Sequence, residues 1–475
     1  MKGSVMKNKT IPYLLTFLIF LTSKVAAQSP IVGHWEGAIS IMGGELLIAI
    51  DVKLDAESLK ATIDIPQQNA IGLPLKNVSF SELKAHFELV AGPGVAVFDG
   101  ELKGDSINGD FSQAGAKGTF HLKKGIATKV AAPAEPLPPY KEEEVRIHNG
   151  DIMLAGTLSL PATTGPYPAV VLITGSGAQN RDEEVMGFKP FKLIADYLTR
   201  SGIAVLRCDD RGVGGSTGSM EKATGDDFAN DAEAQVKYLL TRSEIDHKKI
   251  GLLGHSEGGI IASMVAARLK DIAFIVLMAG PAVTGDKIIS KQIEHLMHAG
   301  GATDAEIKTE LARQEQVYKV VRTNKGWDDL KLELQKDAKE SLNKMTIEQR
   351  KAVADEDKLI NTSVEAKIKG AKSPWFKYFI DFDPAKQLEK VKCPVLALFG
   401  ELDMQVPLDL NKEPMEKVFK KSGNKDYAIH VFPKANHLFQ EAETGNPAEY
   451  AALKKEFVAG FMEMILDWVT KRVKK

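Results

Sequence analysis

Cysteine is nearly absent: the 475-residue chain has two, Cys208 and Cys393. Both lie in apolar, strand-like runs (AVLRC and CPVLALF) far apart in the chain, so they are read as buried free thiols. A disulfide between them stays open at this point, because spacing alone cannot establish its geometry. An excess of either charge is missing too, since the formal net charge is -2. That removes the electrostatic reason to expect a nucleic acid or an anionic membrane as partner. At the N-terminus the apolar run Ile11–Leu21 has about half the length that spans a bilayer, so no lasting membrane span is expected there. The remainder, with 44% hydrophobic and 26% charged residues, is ordinary for a soluble globular protein, and the length allows more than one domain.

The start of the chain has a different texture. Lys2, Lys7 and Lys9 precede the apolar run, and Val25, Ala26 and Ala27 follow it with small residues. A basic start, a short apolar core and a small-residue end make a secretory signal peptide over residues 1–27, cut after Ala27. With no cysteine near the cut, a lipid anchor is unsupported, and the expectation is an exported protein, periplasmic or extracellular.

Residues 28–124 read as a small all-β domain. Runs such as Leu46–Leu54 and Ala61–Ile65 alternate at period two, with Gly, Asn and Asp between them. The segment resembles the small lipocalin-like barrels or sandwiches of some exported proteins. Trp35 and Phe111 are expected in its core, and Asp99, Asp105 and Asp110 on solvated turns. Residues 125–141 contain Pro133, Pro136, Pro138 and Pro139, which favour an extended spacer between domains.

From residue 142 to 475, buried-looking strands alternate with amphipathic helices. Asn149-Gly150 marks a hairpin; strands at Ala169–Ile173, Ile203–Cys208, Ile250–Gly254 and Ile272–Met278 are each followed by a helix or loop. Such alternation predicts an α/β fold with a mostly parallel sheet covered on both faces. It stops at Pro281, becomes charged and helical over about 282–385, and resumes at Pro394. An insertion there is read as a helical cap, with a purely structural excursion as the alternative. A last helix is expected from Ala448 onward.

The chemistry centres on IGLLGHSEGGII, residues 250–261, in which Gly254 and Gly258 flank Ser256 as G-x-S-x-G. Between a strand and a helix, this pattern is a nucleophile elbow, a sharp turn that exposes the serine Oγ. A serine needs a base to take its proton, and an acid to orient that base, following it in the order Ser, Asp, His. Asp403 follows the strand Pro394–Phe399, and His437 follows the strand Tyr427–Phe432. Groups at the ends of parallel strands converge. The expected catalytic set is therefore Ser256, Asp403 and His437. Backbone N–H groups of Glu257 and Ser176 would stabilise the oxyanion, with Gly177 the one-residue-shift alternative to Ser176.

The segments GSGAQNRDE (175–183), DDRGVGGSTG (209–218), IGLLGHSEGG (250–259), GELD (400–403) and Asn436-His437 together resemble the bacterial secreted serine hydrolases of the α/β-hydrolase superfamily. That group includes carboxylesterases and serine aminopeptidase-like proteins. Where most members have His-Gly ahead of the oxyanion residue, this chain has Thr174-Gly175. The resemblance implies an α/β-hydrolase fold and an acyl-enzyme mechanism without metal or cofactor. Its first implied substrate is a short to medium acyl ester; a peptide or acyl-peptide is the alternative, and an inert binding protein the third reading. Elsewhere, His255 is expected to pack beside the elbow and His430 to be structural. His295 and His298 make a surface pair with no third metal ligand, and Asp209, Asp210 and Arg211 a buried salt-bridged turn.

Overall fold

The computed structural model describes residues 29–41, 44–55, 58–65, 70–90, 95–113, 116–125, 138–343, 355–450 and 452–474. The leader-like residues 1–27 and most of the proline-rich spacer lie outside them.

Strands β1 (Gly33–Ile41), β2 (Gly44–Asp55), β3 (Ser58–Ile65), β4 (Ala70–Ser81), β5 (Lys84–Val90), β6 (Val95–Lys103), β7 (Ser106–Gln113) and β8 (Ala116–Lys124) form an antiparallel meander, which closes into a barrel as β1 pairs with β8. Alternation along each strand sends one set of side chains inward. In β6 it buries Ala96, Phe98 and Leu102. Phe98 meets Phe111 and Phe120 edge-on at 5.0 and 5.4 Å, and the buried Trp35 indole N–H donates to the Ile31 carbonyl at 2.8 Å. The same alternation corrects the expectation for two of the acids. Once Phe98 and Phe111 point inward, Asp99 and Asp110 must point outward from mid-strand, where they face each other across β6 and β7. Asp99 takes a hydrogen bond from the His86 ring at 2.6 Å; only Asp105 sits in a turn.

The second sheet has eight strands. They are β9 (Lys141–Asn149), β10 (Ile152–Leu160), β11 (Tyr167–Ile173), β12 (Ala204–Cys208), β13 (Ile245–His255), β14 (Phe274–Met278), β15 (Val395–Gly400) and β16 (Tyr427–Phe432). Their order is β16-β15-β14-β13-β11-β12-β10-β9, parallel from β12 to β16 and antiparallel at the β10 and β9 edge. In the β9–β10 hairpin Asn149 pairs with Ile152, so Gly150 and Asp151 make the turn. Helices α1 (Pro190–Arg200), α2 (Gly225–Leu239) and α3 (Glu257–Arg268) follow β11, β12 and β13. Between β14 and β15 come α4 (Gly285–Ala299), α5 (Asp304–Thr323), α6 (Trp327–Asn343), α7 (Glu356–Ala371), α8 (Pro374–Asp381) and the short α9 (Pro384–Leu388). Helix α10 (Leu408–Ser422) connects β15 to β16, and α11 (Phe461–Val473) follows β16.

The strands are apolar on both sides because both faces are covered. One core packs the sheet against α2, α3 and α10 through residues such as Leu239, Ile261 and Phe419; the other packs it against α1 and α11 through Phe191, Ile194, Phe461 and Ile465. This is the α/β-hydrolase architecture behind a β-barrel. No helix among the described residues is long and apolar enough to cross a membrane.

A further expectation changes. The last helix starts at Phe461, not Ala448, because Gly460 ahead of it adopts φ 81° and breaks the run. Before it, Tyr450 packs with Phe188 and Leu438 outside any long helix. The open disulfide is also settled. Cys208 ends β12 and Cys393 precedes β15, four strand positions away, or about 19 Å at the usual spacing, far beyond disulfide reach.

Phe98→Ala is expected to cost about 3–5 kcal/mol, because the cavity between Phe111 and Phe120 cannot collapse inside a closed barrel. A denaturant titration followed through Trp fluorescence should show the midpoint fall.

Candidate active site

The site sits at the carboxyl ends of the parallel strands. β13 runs into α3 through one residue, Ser256, whose backbone is at φ 54°, ψ -120°. A non-glycine residue there is strained and persists only when its surroundings impose it. Gly254 and Gly258 impose it. A Cβ on Gly254 would lie 2.0 Å from the Gly258 carbonyl oxygen, and one on Gly258 would lie 2.1 Å from the Ile173 carbonyl oxygen. Bare backbone is thus what lets the turn close. Ser256 N–H donates to the Met278 carbonyl at 2.8 Å, and Gly259 N–H to the Ser256 carbonyl at 2.9 Å, which holds the turn against the neighbouring strand.

Asp403 and His437 lie in the loops after β15 and β16. Asp403 is 3% exposed; its Oδ1 accepts from Gln405 N–H and Val406 N–H, both at 2.8 Å, and its Oδ2 lies 2.8 Å from His437 Nδ1. Burial alone would raise the Asp403 pKa. The His437 ring and the two amides outweigh it, and Asp403 stays below the ordinary carboxylate range. A carboxylate can only accept, so His437 Nδ1 carries the proton in this bond. In the neutral ring, Nε2 is then left as a bare acceptor.

Ser256, His437, Ser176 and Glu257 line one cavity of about 360 Å³. The cap lines it with Ile288, Ile289 and Gln292 of α4 and Trp375 and Phe379 of α8. Hydrogen bonds at the cavity tie the cap to the loops and helix around the site. Gln292 donates to the Gln405 carbonyl at 2.6 Å, and the Trp375 indole N–H donates to Glu257 Oε1 at 2.7 Å. Glu257 is the first residue of α3, so its own N–H has no acceptor within the helix. Its side chain is 6% exposed, and burial pushes the carboxyl up to about 7 against the Trp375 hydrogen bond. In the loop after β11, Gly175 N–H is engaged by Glu183 Oε1 at 2.6 Å. The next residue, Ser176, lies on the cavity wall, and Gly177 (φ 98°) follows it outside the cavity lining.

The remaining motif residues take the following places. Asp209 and Arg211 do not pair with each other: Asp209 holds Arg181 through Nη2 at 2.9 Å and Nε at 3.1 Å, while Arg211 holds Asp231 at 2.7 Å. Asp210 is pushed up to about 7 by burial, despite hydrogen bonds from the Thr174 hydroxyl at 2.6 Å and Gln179 N–H at 2.9 Å. His430 sits on β16 with its ring edge-on to Phe432 at 4.5 Å. His298 lies 3.9 Å from Asp304, and among the described residues no group of three or more His, Cys, Asp or Glu is arranged to hold a metal ion. His255 does more than pack, for both its ring nitrogens are hydrogen-bonded, to Glu183 and to the His437 carbonyl. Sequence reasoning gave no role to Glu183, Arg181 or Trp375. Glu183 and Arg181 lie within the quoted GSGAQNRDE segment, which was a signal; Trp375 stands in the cap with none.

The serine aminopeptidase (S33) family model matches residues 188–443, which include Ser256, Asp403 and His437 and begin after Glu183. Esterase EstD of Thermotoga maritima is 28% identical over 358 residues, 74% of this chain and 73% of that protein. Human mitochondrial acyl-coenzyme A thioesterase 2 is 30% identical over 145 residues, 30% of this chain and 26% of that protein. Among solved structures, an esterase of Pyrococcus furiosus aligns with a TM-score of 0.42 at 14% identity, over 70% of this chain and 91% of that one.

Asp209→Ala is expected to cost about 3 kcal/mol, because it leaves the half-buried Arg181 guanidinium and the Gly215 amide without their acceptor. Chemical denaturation reads this directly, and a cost below about 1 kcal/mol would show that Arg181 is held by Glu144 alone.

Proposed function

From the premise that this chain belongs to the serine aminopeptidase (S33) family of α/β-hydrolases, we propose that it cleaves carboxylic esters through an acyl-enzyme on Ser256. The observation that carries the reading is the buried 2.8 Å contact between His437 and Asp403, with His437 and Ser256 opening on the same cavity. In the proposed reaction His437 Nε2 takes the Ser256 proton as Oγ attacks the acyl carbonyl. Asp403 keeps the ring in the Nδ1–H tautomer and stabilises the imidazolium that forms. The N–H groups of Glu257 and Ser176 receive the developing oxyanion, and the strained Ser256 backbone keeps Oγ clear of the helix. His437 then protonates the leaving alcohol. Water repeats the steps in reverse to release the acid.

An ester is favoured over a peptide because the relative matched over most of its length is an esterase. The family's name supports the second reading, hydrolysis at a peptide N-terminus. Short to medium acyl groups are the proposed acyl side, with a cavity of about 360 Å³ beneath the cap as the support. Export past the cytoplasmic membrane is proposed on the leader-like residues 1–27 alone.

Purified protein is expected to turn over p-nitrophenyl esters of short and medium chains faster than aminoacyl or acyl-peptide amides; faster amides would reverse the order of the two readings. A fluorophosphonate probe should label the wild type at Ser256. Ser256→Ala should lose labelling and about 10⁶-fold in kcat, the scale seen when such a nucleophile is removed. A variant that still labels equally would refute the assignment.

A further inference from the structure

The reaction uses neither Glu183 nor His255, yet both are buried against Ser256, at 2% and 3% exposure. Glu183 has a left-handed backbone, φ 51°, an arrangement a non-glycine residue adopts only under constraint. Its Oε1 accepts from two donors, Gly175 N–H at 2.6 Å and His255 Nδ1 at 2.8 Å. Its Oε2 is buried with no hydrogen-bond partner among the described residues. Across the ring, His255 Nε2 lies 3.0 Å from the carbonyl oxygen of His437.

These partners decide how many protons the ring carries. A neutral imidazole offers one N–H and one bare lone pair. A carboxylate oxygen and a carbonyl oxygen are both acceptors. Either neutral tautomer would set its lone pair against one of them, inside a buried space where an unmade hydrogen bond is costly. Only the doubly protonated ring donates on both sides. Burial opposes a charge on His255, and the Glu183 carboxylate outweighs it, so the His255 pKa lies above the ordinary value; Asp403 acts in the same direction. The His437 ring lies beside His255 at 4.6 Å, and Asp210 is near enough to Glu183 for each charge to oppose the other.

The pair touches three separate segments. Through Gly175 it holds the loop that leads to Ser176. Through His255 it is fixed to the end of β13, one residue before Ser256. Through the His437 carbonyl it reaches the loop after β16. Gly175 is wedged at the centre, for a Cβ there would meet Glu183 Oε1 at 3.2 Å, Ser256 Cβ at 3.3 Å and His255 Nδ1 at 3.5 Å. With the Gly175 amide committed to Glu183, the direction of the following peptide units at Ser176 and Gly177 is set.

We propose that Glu183 and His255 act as positioning residues for hydrolysis: a buried ion pair that sets the distance between the oxyanion amides, Ser256 and His437. The proposal rests on the reading of Ser256 as nucleophile and His437 as base. It assigns work to Glu183, which lies before the segment matched by the family model. A merely structural pair would stabilise the fold without setting the rate, and the tests separate the two.

Glu183→Gln keeps the shape and one acceptor while removing the charge. In the full-length protein, kcat on a p-nitrophenyl ester is expected to fall about tenfold to a hundredfold with KM within about twofold, the size of effect that a misplaced catalytic geometry produces. Fluorophosphonate should still label the whole population of Ser256, only more slowly. An unchanged kcat and labelling rate would overturn the proposal. So would a smaller labelled fraction reacting at the wild-type rate, since that is partial unfolding. Wild type that never labels would fail the nucleophile reading itself and remove the premise. A second measurement needs no kinetic variant. In ¹⁵N-histidine-labelled wild type, one ring should keep both nitrogens protonated at about pH 8, well above the ordinary imidazole range. That signal should vanish in His255→Gln, and a His255 ring with a single proton at that pH would refute the ion pair.

Discussion

Strand β13 and helix α3 can meet at Ser256 only because neither Gly254 nor Gly258 carries a side chain, and the arrangement of the site depends on that contact. The approach forces Ser256 into a backbone region that serine avoids, and lifts its side chain out of both the sheet and the helix. The first amide of α3 is thereby left beside it with no partner inside the helix. Everything else is brought to this point. Parallel strands deliver the Asp403 and His437 loops from one side and the Gly175–Gly177 loop from the other, because β14, β15 and β16 lie on one flank of β13 and β11 on the opposite flank.

Around Ser256 the fold gathers several carboxyls largely shielded from water, and their partners lead them to opposite states. Asp403 and Asp209 stay ionised because a ring, a guanidinium or paired amides supply what water would have supplied. Asp210 and Glu257 have a hydroxyl, an amide or an indole N–H but no cation, and are pushed up to about 7. The difference suits the proposed chemistry. A negative charge is wanted behind His437, where imidazolium forms, and a carboxyl that retains its proton adds little repulsion where an oxyanion would develop. Trp375 links this balance to the cap, since its indole N–H donates to Glu257 Oε1.

Much of this was legible in the chain. Continuous apolar strands followed by amphipathic helices announced a covered parallel sheet, because periodicity reports which faces are buried. Ser256, Asp403 and His437 could be picked out because each follows a recognisable strand, and the strand ends are where loops converge. In the barrel domain Asp99 and Asp110 are a residue type common in turns, yet the strand period places them opposite each other in mid-strand. Gly460 sits inside a stretch whose apolar pattern reads as helical throughout, and its left-handed backbone, which the pattern does not report, sets where the helix begins.

Sequence by itself determined the elements and the chemistry-bearing residues of the central motif, since local steric and hydrophobic patterns are written in neighbouring positions. Tertiary structure alone decided which distant groups share a proton or a hydrogen bond. Glu183 and His255 stand 72 positions apart, and Trp375 and Glu257 stand 118 apart, so no local pattern could pair them. The ionisation of those groups belongs to the folded state for the same reason. Burial and the identity of the facing atom set it, and both arise only when the strands, the cap and the loops have closed on one another.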